Sequence, residues 1–271
     1  MILLLACNPT TLDVQDDLPV GEPGTFSLSF DHNDVTRESV VHVPEGIQSG
    51  APVLLNFHGF GGDGLGQMQW ADFRELADAQ GFIVAYPDGT LLDGSPHWNA
   101  ALDAPDNKSD ADDIGFSRKL VETIDAAYNV DREQVFAVGY SNGGMMAYAL
   151  ACHDPELVAG VGGVSATFLN SDTCEATDPV PVIIWHGTND GVLPYSGDGD
   201  SMAVVETAEW WAQHNQAEEE DSATSGDVTR RSWAGAADVV LYTVDGGDHV
   251  WFNQPFDGTP TNQVIWEFFR P

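Results

Sequence analysis

Positive charge is what this chain most lacks. Its 271 residues hold 9 Lys+Arg against 43 Asp+Glu, a formal net charge of -34, and lysine stands only at Lys108 and Lys119. So acidic a surface repels phosphate backbones, which argues against nucleic acid as a partner. The acids are spread along the chain rather than gathered in a tail, so they read as a solvated shell, consistent with adaptation to salty surroundings. Long apolar runs are also missing. None reaches the ~18 residues that a membrane-spanning helix needs. Repeats and internal linkers are absent too, and 42% hydrophobic residues suffice for one sizeable core. One domain is therefore expected, over 24–271.

Cysteine is scarce, with only Cys7, Cys152 and Cys174. The opening "MILLLAC" looks like the end of a bacterial lipoprotein signal, in which the cysteine after a small residue is lipidated. Its basic leading segment is missing, so the start reads as lying downstream of the true one. An ordinary cleaved signal or a frayed terminus is the alternative. On the first reading, residues 1–7 are a signal remnant with Cys7 lipidated. Residues 8–23, rich in Pro and Asp, form a flexible tether. The protein is then secreted or held on the outer face of the cell envelope, touching membrane only through that anchor. Cys152 and Cys174 remain as an even pair, either bridged in an oxidising compartment or left as two buried thiols.

What is present is a regular alternation. Short apolar runs bounded by turn signals fall at 26–30, 39–43, 52–57, 82–86, 135–140, 160–164, 180–185 and 239–244. Helical spacing fills the gaps. One helix is expected in "GQMQWADFRELADAQ", stopped by Gly81, and one in "DDIGFSRKLVETIDAAYNV", capped by Asp113. A third lies in "GGMMAYALACHDP", and a fourth in "SMAVVETAEWWAQHNQAEEE" with acid on its outer side. Segments 91–112 and 195–201 read as polar loops. Two leading strands followed by alternating strands and helices predict a mostly parallel, eight-stranded sheet with helices on both faces. In such sheets functional residues follow the carboxyl ends of the strands.

One of those ends carries "VFAVGYSNGGMMAY", residues 135–148. Its G-x-S-x-G lies between a strand and a helix, the context in which a serine is held exposed on a sharp, strained turn. Gly139 and Gly143 leave room where strand and helix nearly collide. Such a hydroxyl needs a base, and the base needs an orienting acid, in the chain order Ser, Asp or Glu, His. After Ser141 only His153, His186, His214 and His249 remain. His249 in "VDGGDHVWF" directly follows the last strand. Asp190 in "HGTNDGVLPY" lies in the turn after the penultimate one. His186 precedes that acid and reads as a brace for its loop, while Asp248 sits too close in sequence to reach the ring nitrogen. The amide of Asn142 opens a helix, and the amide of Phe60 in "HGFGG" follows the third strand, so these two are the expected oxyanion donors. No Lys-Ser/Thr follows that glycine-rich loop, which argues against a phosphate cradle. Asp110, Asp112 and Asp113 lack calcium-loop spacing and read as capping and solvation. Trp98, Tyr140 and Trp251, with Phe252 beside them, are candidates to line a substrate cleft.

The pieces "HGFGG", "GFIVAYPDG", "HWNA", "DDIGF", "YNVDREQVFAVGYSNGGMMAYALAC", "HGTNDGVLPY" and "GGDHVW" cover most of 52–252. Together they resemble the bacterial polyhydroxybutyrate depolymerase and feruloyl-esterase-like branch of the α/β-hydrolases. The resemblance implies an α/β-hydrolase fold and a triad falling on Ser141, Asp190 and His249. Cys152 and Cys174 match family cysteines. A cysteine pair usual after the WNA element is absent from "ALDAPDNKSD", and "GGDHVWF" departs from the usual GGGHxWP. Both departures touch loops at the mouth and bear on specificity.

The resulting expectation is a serine esterase using no metal or organic cofactor, a monomer acting on short-chain, hydroxyalkanoate or feruloyl-type esters. Polyester depolymerisation is the alternative, disfavoured by the expectation that no separate binding module follows Pro271. A serine peptidase and a non-catalytic binding lipoprotein are the remaining readings.

Overall fold

All eight segments read as strands fall on one sheet in the computed structural model, which describes residues 14–102, 107, 109–174 and 178–270. The elements run β1 (Val14–Gln15), β2 (Gly24–His32), β3 (Val35–Val43), β4 (Val53–Phe57), α1 (Gly64–Trp70), α2 (Arg74–Gln80) and β5 (Ile83–Pro87). A hairpin of β6 (Thr90–Leu92) and β7 (Ser95–His97) follows, then α3 (Asp113–Tyr128), β8 (Val135–Tyr140), α4 (Asn142–His153) and β9 (Gly160–Val164). The chain continues through β10 (Val182–Gly187), α5 (Val204–His214), β11 (Glu218–Ser225), β12 (Val228–Ala234), β13 (Val239–Val244) and α6 (Thr261–Phe269).

Strand order is β1-β2-β3-β5-β4-β8-β9-β10-β13-β12-β11. The centre, from β5 to β13, is parallel throughout. β3 and β2 add antiparallel strands on one side, β12 and β11 on the other. The sheet is thus eleven-stranded and mixed among the described residues, larger than the eight expected. β11 escaped notice because it is a polar edge strand with no buried residue and no apolar alternation. Its Glu218–Asp221 run, read as the outer side of a helix, instead charges the sheet edge, a device that blocks pairing with another chain.

Helices cover both faces, as the alternation implied. Phe116, Leu120 and Ile124 of α3, Met146 and Leu150 of α4, and Trp211 of α5 pack into one core layer. Met68, Phe73 and Ala77 from the α1–α2 region join Ile265, Trp266 and Phe269 of α6 in the other. Among the described residues no helix is long and apolar enough to cross a membrane.

Three helix boundaries differ from the sequence reading, each for a tertiary reason. The first expected helix is two, because Asn56 Nδ2 donates to Ala71 O (3.1 Å) and the Phe73 amide donates to Tyr86 Oη (2.9 Å). α5 stops at His214, since the buried Asn215 turns its carboxamide to Val180 N and O (3.1 and 2.6 Å). α3 is capped by Asp112, which accepts from Gly115 N at 2.8 Å, and not by Asp113. Asp113 is neither a cap nor solvated; it is buried in an ion pair with Arg37 at 2.7 Å.

The tether expectation fails over its described part. β1 pairs with β2, Leu18 is buried, and Tyr128 Oη donates to Pro19 O and Glu22 O (2.8 and 3.0 Å). Cys7 and the signal remnant lie outside the described residues. Cys152, near the end of α4, is disulfide-bonded to Cys174, so the pair is not two free thiols.

Candidate active site

The elbow is built where β8 runs into α4. Ser141 holds φ 53° and ψ -122°, a conformation disfavoured for a residue with a side chain. Its amide donates to Val164 O at 2.9 Å, and its carbonyl accepts from Gly144 N and Met145 N. The flanking glycines are required by space. A Cβ on Gly139 would lie 2.2 Å from Gly143 O, and one on Gly143 would lie 2.3 Å from Phe57 O and 2.4 Å from His58 O. The second close approach brings the end of β4 against the elbow.

Loops after β10 and β13 bring Asp190 and His249 to the elbow. His249 Nε2 is 3.0 Å from Ser141 Oγ, and His249 Nδ1 is 2.7 Å from Asp190 Oδ2. With Nδ1–H donated to the carboxylate, the Nε2 lone pair faces the hydroxyl, the geometry a general base needs. The other oxygen of Asp190 accepts from the amides of Val192 and Leu193 (2.8 and 2.9 Å). Burial opposes ionisation of Asp190, but hydrogen bonds from His186, His249 and these two amides outweigh it and hold the carboxyl well below the usual range. His186 Nε2 donates to Leu193 O at 2.9 Å and lies 3.1 Å from Asp190 Oδ2, so it braces this loop, as its position before the acid suggested. Asp248 accepts from Asn189 instead of the ring. Tyr140 Oη donates to His249 O at 2.8 Å, and Ser165 Oγ donates to Val250 O at 2.8 Å, which pins the histidine loop.

The glycine-rich loop after β4 carries the Phe60 amide, which has no hydrogen-bond partner among the described residues. The Asn142 amide, first of α4, has no intrahelical acceptor. Gly61 N donates to Pro96 O and Gly62 N to Gly59 O (2.7 and 3.0 Å), shaping the loop. His58, to which the sequence assigned no part, holds its base. Nδ1–H donates to Gly59 O (2.7 Å) while Nε2 accepts from Gly89 N (2.9 Å), so only the uncharged ring serves both. Burial lowers its pKa accordingly.

A cavity of about 210 Å³ opens beside Phe60 and Asn142, walled by Leu92, Trp98, Ala101, Met145 and Leu169 among others. Trp98 is among its lining residues, but is only 1% exposed. Its backbone exchanges two hydrogen bonds with the Asn142 carboxamide (2.7 and 3.0 Å), and its indole N–H donates to His58 O at 2.9 Å. Tyr140 lines a different depression, with Phe60 and Trp70. Trp251 does not belong to the site: it is buried in the core against Phe73, with its Nε1 donating to Asn262 Oδ1 at 2.9 Å. Phe252 is likewise core. Leu92, Met145 and Leu169 were missed, because single apolar residues carry no signal distinguishing a cavity wall from a core.

The family described as phospholipase/carboxylesterase matches residues 39–225. A putative esterase, NocK, of Nocardia uniformis subsp. tsuyamanensis is 31% identical over 274 residues, covering 89% of this chain and 78% of that protein. Feruloyl esterase B of Piromyces equi is 26% identical over 79% of this chain, which spans 42% of that protein's length. Among solved structures, the acetyl xylan esterase from Aspergillus awamori superposes with a TM-score of 0.69 at 18% identity, over 91% of this chain and 99% of that one. The chain belongs to the phospholipase/carboxylesterase family of the α/β-hydrolases and is a carboxylic ester hydrolase.

Proposed function

We propose that hydrolysis proceeds through a Ser-His-Asp triad and an acyl-enzyme. Ser141 Oγ attacks the ester carbonyl as its proton passes to His249 Nε2. Asp190 orients the ring and stabilises the imidazolium. The carbonyl oxygen becomes an oxyanion facing the Phe60 and Asn142 amides. Collapse expels the alcohol, which takes the proton from His249. Water then attacks the acyl group with His249 again as base, releasing the acid and restoring the Ser141 hydroxyl. The observation that carries this reading is the single imidazole lying within hydrogen-bonding distance of both Ser141 and Asp190.

The substrate class is that of short-chain, hydroxyalkanoate or feruloyl-type esters. Its support is a largely apolar cavity of about 210 Å³ lined in part by Phe60 and Asn142, and the likeness to proteins named feruloyl and acetylxylan esterases. The disulfide favours an oxidising compartment and hence secretion. The test is a hydrolysis panel of p-nitrophenyl acetate and butyrate, methyl ferulate, acetylated xylan, hydroxybutyrate oligomers and polyester film, with Ser141→Ala as control. Turnover of the short esters is expected and should vanish in the variant. Equal turnover by Ser141→Ala would refute the mechanism.

A further inference from the structure

The two amides assigned to the oxyanion come from separate loops, at the ends of the neighbouring strands β4 and β8. Stabilising one oxygen requires both to converge with a tolerance of a few tenths of an ångström. We propose that Trp98 is the positioning residue that holds them in register. The proposal rests on the reading above, in which Phe60 and Asn142 supply the donors.

Trp98 reaches both sides at once. Its indole N–H donates to His58 O, two residues before Phe60, at 2.9 Å. Its amide donates to Asn142 Oδ1 at 2.7 Å, and its carbonyl accepts from Asn142 Nδ2 at 3.0 Å. The Asn142 side chain thus anchors the residue whose own amide faces the oxyanion. The ring is buried and meets Phe57 edge-on at 5.0 Å between centroids, which leaves it little freedom to swing. An indole suits the task because it offers one donor on a rigid plane and no acceptor.

The clamp is itself anchored from below. The next residue, Asn99, donates its amide to Asp113 Oδ2 at 2.7 Å, and its Nδ2 donates to Ser109 O and Ala111 O. Asp113 in turn takes Arg37 at 2.7 Å, both side chains being buried, and the guanidinium lies 3.8 Å from the Phe116 ring centroid. The "HWNA" and "DDIGF" segments, otherwise without a part in the chemistry, are thereby joined into one support for the oxyanion donors.

Trp98→Phe removes the indole N–H and keeps an apolar ring. With p-nitrophenyl acetate, a substrate too small to depend on the cavity wall, kcat should fall by about tenfold or more while KM stays within about twofold. Affinity for a boronic acid that adds to Ser141 should weaken by the same factor as kcat/KM. The benzothienylalanine analogue of Trp98 replaces N–H by sulfur with the ring outline intact, and should show the same split if the phenylalanine variant folds poorly. Unchanged kcat in the folded analogue, or a KM rise confined to bulky esters, would make Trp98 a core and cavity-wall residue and overturn the proposal. Turnover surviving in Ser141→Ala would instead sink the underlying mechanism.

Discussion

The oxygen of Asp190 that meets His249 also lies 3.1 Å from Nε2 of His186, so one carboxylate oxygen faces two imidazoles. The Asp190 carboxylate is therefore held by more than His249. His186→Leu removes one of the hydrogen bonds that keep the Asp190 carboxyl low and should raise its pKa toward the ordinary range. With His249 and two amides still in place, kcat should fall by about tenfold. Asp190→Asn, which leaves the ring in the wrong tautomer, should lower kcat by about 10⁴. Steady-state kinetics on p-nitrophenyl butyrate would separate the two, and equal losses would show that His186 is indispensable to the relay.

Asp190 also links folding to pH. A carboxyl held below its unfolded pKa favours the native state above about pH 4, and that contribution is lost as pH falls through the acid range. The stability difference between the native chain and Asp190→Asn should thus be present at pH 7 and shrink progressively on acidification. Thermal melts across pH would measure it, and a constant difference would contradict the linkage.

Asp88 carries the opposite sign. Burial pushes its pKa up to about 6, with the Gly64 amide partly offsetting this. Between about pH 4 and this value the folded chain binds more protons than the unfolded one, so stability falls as pH rises through that window. Asp88→Asn should melt higher than the native chain at pH 7, by on the order of 3 °C. The gain should disappear toward pH 4.

Ser141 bears backbone strain at φ 53°. Relief of a disfavoured conformation of this kind is worth about 1 kcal/mol or more. Ser141→Gly should therefore melt roughly 2–4 °C above Ser141→Ala, although both lack the hydroxyl. Matching melting temperatures would mean the turn is not strained in solution.

The disulfide ties α4, which opens at the elbow, to the segment whose Leu169 and Asp172 wall the cavity. Replacing both cysteines by alanine should lower stability by about 3 kcal/mol. It should raise KM for methyl ferulate more than for p-nitrophenyl acetate, because only the larger group presses on that wall. Parallel KM changes for both esters would limit the bridge to a stabilising role.

Much of the architecture was legible because it is local. The eight buried or alternating runs all fell on strands, and the glycine spacing around Ser141 located the elbow. The polar strand β11 was not legible, since an edge needs no apolar face, and β12 buries only Val228 and Trp233, too few to make an apolar run. Asp113 read as a cap because its partner Arg37 lies 76 residues away. Trp251 and Trp98 look alike as tryptophans beside site motifs, yet one is core and the other meets the cavity.

The amino-acid sequence alone determined the strand–turn–helix at Ser141 and the order in which Ser141, Asp190 and His249 are met. Turn geometry and chain order depend on neighbours a few residues apart. Tertiary packing decided how Asp190 is shared between His186 and His249, which aromatic rings face the cavity, and that Trp98 bridges the two amide-bearing loops. Burial and hydrogen-bond partnership arise from segments tens to a hundred residues distant, and no local pattern in a chain encodes which of them will meet.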